Sequence, residues 1–543
     1  MYKKVKLKDV HRNTLDQYKA LNNRVSALRK KLVNAYSEKQ FLSLKDKPSQ
    51  RWNTMNEMIK GTKTEIKCSE IKVNNIVIQD KELIANYMNE YYVTVAKSLA
   101  DDIPMINRED LDLIESSINH PTVDESLFLS PTTPDEIFKI ISSLKNSATS
   151  VDGSPSANVL KRCIIPLIEP INHIVNLSFE QGIVPEKLKI SRVIPIFKKG
   201  DQQDRGNYRP ISIQSPIAKI LETCFKTRLL KFLESNNYFF NHQYGFRSKS
   251  STLSATVDII SDIQKNMDNG LMAAGLFIDL KKAFDTVDHS LLIDKIQKAG
   301  VRGLPLQWIS NYLLNRKQYV IIDSEMSAML DLMCGVSQGS VLGPILYLIY
   351  VNDIKYLTLT GKKYLFADDT GVFYNAINER ELAEQIQHDI NILGIWFKYN
   401  KLTVNIDKTN YLVFSKKDLE PCDVNPTLNG TNICKTDQTQ YLGLNIDNKL
   451  NWALQVKKIR SKIAPLTGQL FRLKKQIPVY LRKEIYYALI HSQIMYLAQI
   501  WSTCNKTLFK SVNVLHKRAL KAIFDLELRC PTNELYQITS ILF

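Results

Sequence analysis

Two neighbouring carboxylates, Asp368 and Asp369, lie between short apolar runs that are rich in aromatic residues. The flanking runs have strand character, and Asp-Asp-Thr-Gly carries turn chemistry, so the stretch is predicted to form a β-hairpin with both acids at its tip. Like charges this close stay ionised together only beside positive charge, and hard oxygen ligands suit Mg²⁺. A solvated turn is the alternative unless another part of the chain supports a site.

A third carboxylate, Asp279, supports such a site. It follows the apolar run Gly275–Ile278, which is typical of a buried strand, and the chain turns helical from Lys281 onward. Asp279 is therefore expected at the end of a central strand, where a charge is costly without a cation. Together with Asp368 and Asp369 it would form a cluster able to hold two metal ions about 4 Å apart for an in-line displacement at phosphorus. The predicted chemistry is phosphoryl transfer.

The charge of the chain is basic and unevenly distributed. The 543 residues carry a net charge of +17, with +10 in residues 1–60 and +12 in residues 449–543, so the middle is slightly acidic. Basic flanks around an acidic centre favour a polyanionic partner such as nucleic acid. Solvated helical faces are the alternative reading of the basic ends.

The composition also excludes several classes of protein. The length predicts two or three globular parts. The eight cysteines form no Cys-x-x-Cys pair, which indicates reduced thiols and neither a disulfide framework nor a zinc module. No apolar run reaches membrane-spanning length, and the first residues lack the apolar core of a secretory signal. We therefore expect no membrane partner and an intracellular location, either nuclear or in a cytoplasmic ribonucleoprotein; the sequence predicts no oligomeric state.

Three blocks of sequence resemble the reverse transcriptases of non-LTR (LINE-type) retrotransposons, nearest to the jockey-like elements. The blocks are Phe366-Ala367-Asp368-Asp369, Ile278-Asp279-Leu280-Lys281-Lys282-Ala283-Phe284-Asp285-Thr286-Val287-Asp288-His289 and Gly335-Val336-Ser337-Gln338-Gly339-Ser340-Val341-Leu342-Gly343-Pro344. The resemblance implies an α+β right-hand polymerase with fingers, a palm built on an antiparallel sheet, and a helical thumb. It implies RNA-directed DNA synthesis with template RNA, a DNA primer, dNTPs and two Mg²⁺ ions, for which Mn²⁺ could substitute.

The resemblance also implies a division of the chain. We expect a basic helical N-terminal extension over residues 1–100, a linker over 101–135, fingers and palm over 136–447, and a basic helical thumb over 448–543. The family's endonuclease and zinc knuckle have no counterpart in the sequence, so the chain is expected to be part of a larger element's second open reading frame. Five aromatic residues of the last segment are expected to be core: Trp452, Tyr486, Tyr487, Tyr496 and Trp501.

The resemblance assigns nucleotide-binding roles to five residues. Lys199 and Arg209 would balance the charge of the incoming triphosphate, with Lys198 and Lys219 as lesser candidates. Phe284 would select deoxyribose by excluding a 2′-hydroxyl, unless it is simply a core residue. Gln338 would hydrogen-bond to the nucleotide or template, and Gly339 would let the backbone approach the nascent base pair.

The remaining roles concern the template, the primer and proton transfer. Gly245 and Arg247 fall in the block that lies against the template; Arg247 could meet a phosphate or an acidic palm residue. Tyr441 and Gly443 fall in the strand that grips the primer. Lys408 is the candidate general acid for pyrophosphate, although its turn could equally be surface.

Two other functions remain open from the sequence. A truncated, inert remnant that only binds nucleic acid is the main alternative, although the intact metal-binding acids Asp279, Asp368 and Asp369 argue against it. An RNA-dependent RNA polymerase is disfavoured by Phe284 and by Ala367 where such enzymes have glycine.

Overall fold

The computed structural model describes residues 12–60, 68–118, 123–151, 153–416, 425–474 and 477–541. They fall into two units, one formed by Met1–Glu65 with Gly443–Phe543 and the other by Ile66–Leu442. Helices and strands are mixed along the chain, which agrees with the predicted α+β class. Across the described ranges no helix combines the length and apolar character needed to cross a bilayer.

The first unit begins with two helices, α1 (Arg12–Ser43) and α2 (Pro48–Lys60). Both helices lie within the segment for which the sequence predicts a basic helical extension. Pro48 occupies the first turn of α2, where its missing N–H would have no partner in any case. Phe41, Met55 and Ile59 are buried.

The second unit contains most of the secondary structure. Its helices are α3 (Lys81–Asp101), α4 (Arg108–Ile118), α5 (Pro134–Ser143), α6 (Ala157–Arg162), α7 (Ile164–Gln181), α8 (Pro216–Ser235), α9 (Thr252–Asp268), α10 (His289–Lys298), α11 (Leu304–Leu313), α12 (Gly343–Val351) and α13 (Glu379–Tyr399). Its strands are β1 (Ile71–Val73), β2 (Ile76–Ile78), β3 (Ile190–Phe197), β4 (Tyr208–Gln214), β5 (Met272–Ile278), β6 (Arg316–Ile322), β7 (Glu325–Met326), β8 (Leu330–Leu332), β9 (Lys362–Phe366), β10 (Asp369–Ala376), β11 (Asn410–Phe414), β12 (Thr427–Leu428), β13 (Thr431–Asn432), β14 (Cys434–Lys435) and β15 (Gln438–Tyr441).

The central sheet of this unit has the strand order β14-β11-β5-β10-β9. Strand β5 lies in the middle and is antiparallel to both β10 and β11. Its residues from Ala273 to Ile278 are all buried, as expected for a near-continuous apolar run covered on both faces. Helices α9 and α13 pack against the sheet. The end of β5 is therefore fixed at the centre of the unit.

A second sheet has the order β4-β3-β6-β7, with β8 also paired to β6. Helix α3 packs on it through Ile84 and Met88, which share a core cluster with Val193 and Val320. Residues 68–101 thus pack with this sheet. The predicted linker over 101–135 contains helix α4, whose Ile114 is buried in the main core.

A buried carboxylate holds the segment before α12. Glu222 of α8 is 2% exposed, and its Oε2 accepts hydrogen bonds from the backbone N–H groups of Val341 and Leu342. Its Oε1 accepts from Gln214 and from the Tyr312 hydroxyl. Negative charge is favourable at the N-terminal end of a helix, where backbone N–H groups lack intrahelical partners. The segment that carries Gln338 and Gly339 is anchored by these bonds.

The first unit resumes with β16 (Leu444–Asp447), α14 (Ala453–Leu473), α15 (Val479–Ile485), a π-helical segment (Tyr486–His491), α16 (Ser492–Met495), α17 (Ala498–Trp501), α18 (Lys506–Ile523) and α19 (Thr532–Thr539). Trp452, Tyr486 and Trp501 are buried, as predicted for core residues. The same prediction was wrong for Tyr487 and Tyr496, which are exposed. The sequence spacing did not reveal which side of each helix faces the core.

Candidate active site

A β-hairpin is present as predicted, but the predicted position of its turn was wrong, because Thr370 and Gly371 lie within β10. Strands β9 and β10 are antiparallel, and Phe366 pairs with Asp369, which leaves Ala367 and Asp368 as a two-residue turn. Ala367 has a φ of 58°, a left-handed conformation that is unfavourable for a residue with a Cβ. Asp368 thus lies in the turn, and Asp369 is the first residue of β10.

Asp279 follows β5, as predicted, and strand register brings it to the hairpin. Ile278 pairs with Thr370, so the next position along β5 places Asp279 across from Asp369. On the other side of β5, Phe277 pairs with Asn410, which places Asp279 across from Lys408. The Oδ2 atom of Asp279 accepts hydrogen bonds from Asn405 Nδ2 at 3.0 Å and Lys408 Nζ at 3.3 Å.

The three carboxylates repel one another. Burial raises the pKa of Asp368, and the charge of Asp279 raises it further, while Arg209 and Lys198 oppose the shift. Asp369 is exposed at the start of β10, but partial burial of its carboxyl group, followed by the charges of Asp368 and Asp279, raises its pKa to about 6. A bound cation would relieve this repulsion.

The acids fit Mg²⁺ in donor type and in strand position, because carboxylate oxygens are hard ligands. The three carboxylates are not close enough together to bind one ion as they stand. Among the residues that the structure describes, no three acidic, histidine or cysteine side chains are placed to hold a metal ion. One oxygen of Asp279 is occupied by Asn405 and Lys408. Its other oxygen, Oδ1, is the one that could bind an ion without breaking these two bonds.

Several cations face the acids. Lys198 follows β3, and Arg209 lies near the start of the paired strand β4. Burial lowers the pKa of Lys198, and the charges of Arg209 and Lys408 lower it further. The pKa of Lys282 is lowered first by burial, with Lys198 and Arg209 contributing, although Asp285 opposes the shift. Cations that lower one another's pKa provide a favourable place for a polyanion such as a triphosphate.

The structure distinguishes Lys198 from Lys199. The charge of Lys198 acts on both Asp368 and Asp369, and the assigned residue Lys199 is one position farther from the end of β3. Lys219, the other lesser candidate, lies in the first turn of α8. The nucleotide-binding role of Lys199 stays a prediction. Lys198 is the stronger candidate for this role because its charge acts on Asp368 and Asp369.

Phe284 lies between two other rings. It stacks on Tyr347 with ring centroids 4.4 Å apart and meets Phe246 edge to face at 6.3 Å. Burial raises the pKa of Tyr347, and the charges of Asp368 and Asp369 raise it further, which places Tyr347 near both acids. Phe284 is partly buried and packs against the main core. This position allows both the core role and the sugar-selecting role.

Gln338 and Gly339 make contacts within the protein. The Nε2 atom of Gln338 donates to Asp285 Oδ1 at 3.0 Å, and its carbonyl accepts from the N–H of Ser212. Gly339 has a φ of 116°, and a Cβ there would lie 2.6 Å from the carbonyl oxygen of Ser212. This position requires glycine because its backbone lies close to strand β4. Approach of the same backbone to a nascent base pair stays a prediction.

The block around Gly245 also makes contacts within the protein, and its predicted position against the template stays a prediction. A Cβ at Gly245 would overlap the backbone nitrogen of Ala367, so this glycine allows close approach to the turn of the β9–β10 hairpin. The Arg247 guanidinium lies 4.9 Å from the centre of the Phe239 ring, and Nη1 donates to the carbonyl of Phe240. Within the described ranges Arg247 makes no ion pair with an acid, so its predicted contact with an acidic palm residue is not found.

Tyr441 and Gly443 are the predicted primer contacts. Tyr441 is 5% exposed and packs against Phe277 of β5, with ring centroids 5.2 Å apart. Burial raises the pKa of Tyr441, and the charge of Asp369 adds to the shift. Gly443, in the other unit, has a φ of 81°, which favours glycine. The burial of Tyr441 supports a role in shaping the sheet beneath the acids.

Sequence reasoning missed four residues that the structure brings to the site: Gln243, Lys282, Asp285 and Asn405. Lys282 and Asp285 lie in the same block as Asp279, so their types were visible but their orientation was not. Asn405 lies three residues before Lys408 and approaches Asp279 through the antiparallel contact of Leu280 with Val404. Gln243 begins the block that contains Gly245 and Arg247, but its contact with the distant Ala367 was not visible in the sequence.

Comparison with known proteins agrees with this geometry. A profile of the family described as "Reverse transcriptase (RNA-dependent DNA polymerase)" matches residues 196–446, a range that includes all three acids. Residues 196–446, just under half of the chain, are therefore similar to this family.

The relatives are encoded by transposable elements. The chain is 28% identical over 439 residues to the "Probable RNA-directed DNA polymerase from transposon BS" of Drosophila melanogaster, which covers 78% of this chain and 47% of that protein. It is 25% identical over 415 residues to the "RNA-directed DNA polymerase from mobile element jockey" of the same species, covering 73% and 44% of the two chains. The chain thus matches about half the length of these relatives. The resemblance to non-LTR retrotransposon reverse transcriptases is confirmed.

Proposed function

We propose that this chain is an RNA-directed DNA polymerase that adds dNTPs to a primer 3′-hydroxyl on an RNA template. The observation that carries the proposal is the meeting of Asp279 with the Asp368-Asp369 turn through the register of β5 and β10. Carboxylates at this junction, faced by Lys198 and Arg209, suit phosphoryl transfer from a triphosphate.

Asp279, Asp368 and Asp369 would hold two Mg²⁺ ions, with Mn²⁺ as a possible substitute. Bound there, the metal would favour the ionised primer 3′-hydroxyl and neutralise charge on the leaving pyrophosphate. The paired position of Asp279 and Asp369 supports this assignment. The same three residues would remain too negative for a polyanionic substrate without such a cation.

The protein side chains would orient the reactants. The primer 3′-oxygen forms a bond to the α-phosphorus while the bond from that phosphorus to pyrophosphate breaks, and the hydroxyl proton leaves to solvent. Arg209, with Lys198 or Lys199, would hold the β- and γ-phosphates. Lys408 would donate a proton to the pyrophosphate, Gln338 would contact the nucleotide, and Phe284 would exclude a 2′-hydroxyl.

The remaining assignments belong to the same proposal. Residues 136–447 would form fingers and palm, with the β3–β4 pair in the fingers and the β5–β10–β11 sheet in the palm, and residues 448–543 would form the thumb. Of the basic extension predicted over 1–100, residues 68–101 would serve to support the β3–β4–β6 sheet on which they pack, and the segment 101–135 would join them to the fingers. Gly245 and Arg247 would lie along the template, and Tyr441 and Gly443 along the primer. The enzyme would act in the nucleus.

Primer extension tests the proposal. The full chain is incubated with a DNA primer on an RNA template and Mg²⁺, with dNTPs or NTPs, beside an Asp368→Asn variant. We expect the parent chain to extend the primer with dNTPs but not with NTPs. The extension rate of the variant should be lower by a factor of at least about 10³, because metal and electrostatic stabilisation supply most of the rate. A circular dichroism spectrum identical to that of the parent chain controls for folding.

The alternative, an inert remnant that only binds nucleic acid, predicts a different result. Tight binding of the template-primer without extension by the parent chain would favour the remnant. Extension by Asp368→Asn at the parent rate would remove the metal assignment.

A further inference from the structure

A short segment before α9 is joined to the catalytic hairpin by backbone hydrogen bonds. The N–H of Leu365 donates to the carbonyl of His242 at 2.9 Å, and the N–H of Tyr244 donates to the carbonyl of Leu365 at 2.8 Å. These bonds form a parallel bridge between Gln243 and Leu365. The segment thus runs alongside β9 and reaches the turn that carries Asp368.

The side chain of Gln243 extends this contact into the turn. Gln243 is 4% exposed, and its Oε1 accepts from the N–H of Ala367 at 3.0 Å and from the N–H of Gly245 at 2.9 Å. The N–H of Ala367 is a turn donor outside the β9–β10 pairing. A buried backbone donor without a partner is unfavourable, so this acceptor is needed.

The turn is also strained at the residue that Gln243 holds. Ala367 adopts a φ of 58°, which side chains with a Cβ rarely do. Such conformations persist where the surrounding structure imposes them. The two carboxylates of the site follow immediately as Asp368 and Asp369. The hydrogen bond from Ala367 therefore acts on the residue whose dihedral angles set the direction of the next two side chains.

We propose that Gln243 is a positioning residue of the polymerase site: its amide oxygen fixes the left-handed Ala367 and so orients Asp368 and Asp369. The inference rests on the proposed function for its catalytic consequence, while its structural part stands on the geometry alone. Gln243 contacts no substrate in this role and acts through the backbone of the turn.

The test compares three variants of the full chain. Gln243→Met removes the acceptor at similar volume, and Gln243→Glu keeps an acceptor oxygen. Gln455→Met is the matched control, because Gln455 is also buried and its Oε1 also accepts a backbone N–H, that of Asn445, in the other unit. Extension kinetics with Mg²⁺ give kcat and the KM for dNTP, and hydrogen exchange gives the protection of the Ala367 amide.

Gln243→Met is expected to lower kcat by about 100-fold with a nearly unchanged KM, because small displacements of catalytic groups have effects of this size. The Ala367 amide should exchange faster in this variant, Gln243→Glu should recover at least tenfold of the lost kcat, and Gln455→Met should change neither quantity. Parent-like kcat in Gln243→Met, an equal loss in Gln455→Met, or unchanged exchange at Ala367 would overturn the proposal. If the parent chain itself fails to extend primers, the proposed function fails, and the exchange measurement still decides whether Gln243 holds the turn.

Discussion

Lys408 Nζ lies 3.3 Å from Asp279 Oδ2, on the side of β5 opposite to Asp369. The two side chains are 53% and 38% exposed, so the ion pair is weak, worth at most about 1 kcal/mol. Asp279 thus lies between a cation and a second carboxylate. A metal ion that binds Asp279 and Asp369 competes with the Lys408 cation for the charge of the Asp279 carboxylate.

Lys408→Gln should therefore strengthen metal binding. We expect the affinity for Mg²⁺ or Mn²⁺ to rise about two- to fivefold, the equivalent of losing a weak competing pair. If Lys408 is the general acid, kcat should fall at least about tenfold at the same time. Calorimetric titration and single-turnover extension measure the two effects. Lys416→Gln is the control, since it also removes a lysine from an ion pair with an aspartate, here with Asp268 at 2.7 Å. An unchanged kcat in Lys408→Gln would rule out the role of Lys408 as general acid.

Neighbouring lysines provide a second comparison. Lys198→Ala should raise the KM for dNTP about tenfold, because Lys198 is electrostatically coupled to the acids and to Arg209. Lys199→Ala should have the smaller effect. Steady-state extension at varied dNTP concentration measures both. The reverse order of effects would instead support the sequence-based assignment of Lys199.

Phe284 should control the choice of sugar. Phe284→Val is expected to reduce the preference for dCTP over CTP at least about tenfold, because a pocket that rejects a hydroxyl by shape loses that rejection when it is enlarged. Phe246→Val removes the neighbouring ring from the same contact and should leave the preference intact. Single-nucleotide incorporation gives the ratio. Equal loss in both variants would indicate that Phe284 acts only through packing.

Asp285 should make stability depend on pH. Burial raises its pKa to about 6, although Lys282 and the hydrogen bond from Gln338 oppose the shift. An acid with a raised pKa binds more protons in the folded state, so its contribution to stability is full below about pH 4 and is lost as pH rises through 6. Relative to Asp285→Asn, the parent chain should lose up to about 3 kcal/mol between pH 4 and pH 7. Urea unfolding at these pH values measures the difference, and parallel curves for the two proteins would contradict it.

Glu222 should be essential for stability. Its four hydrogen-bond partners are all donors. Glu222→Gln replaces one acceptor oxygen by an NH₂ group, which is a donor and would face N–H or O–H donors. The expected loss is about 3 kcal/mol, with faster hydrogen exchange at Val341 and Leu342. Denaturant unfolding provides the value. A loss below about 1 kcal/mol would show that the segment before α12 is held by other contacts.

Local patterns predicted the parts of the site that depend on short stretches of chain. The hairpin at Asp368 follows from two neighbouring apolar runs, although its turn is Ala367-Asp368 and not the predicted Asp-Asp-Thr-Gly. The strand end at Asp279 follows from an apolar run that stops at a charge. The nature of Lys198 and Lys199 was equally visible, but which of them faces the acids was not. Neighbouring side chains on a strand point to opposite faces, so that choice depends on register and on where the strand ends.

The sequence by itself determined which acids are candidate metal ligands, that a hairpin and a strand end carry them, and that the chain resembles non-LTR reverse transcriptases. Each of these features depends on a short continuous stretch of residues. Only the tertiary structure decided that Gly245 faces the Ala367 backbone, that Gly339 faces Ser212, and that Gln243 holds the turn. These contacts join residues far apart in the chain. They depend on how sheets and loops pack, and the sequence pattern around a glycine or a glutamine does not predict which distant backbone group it will contact.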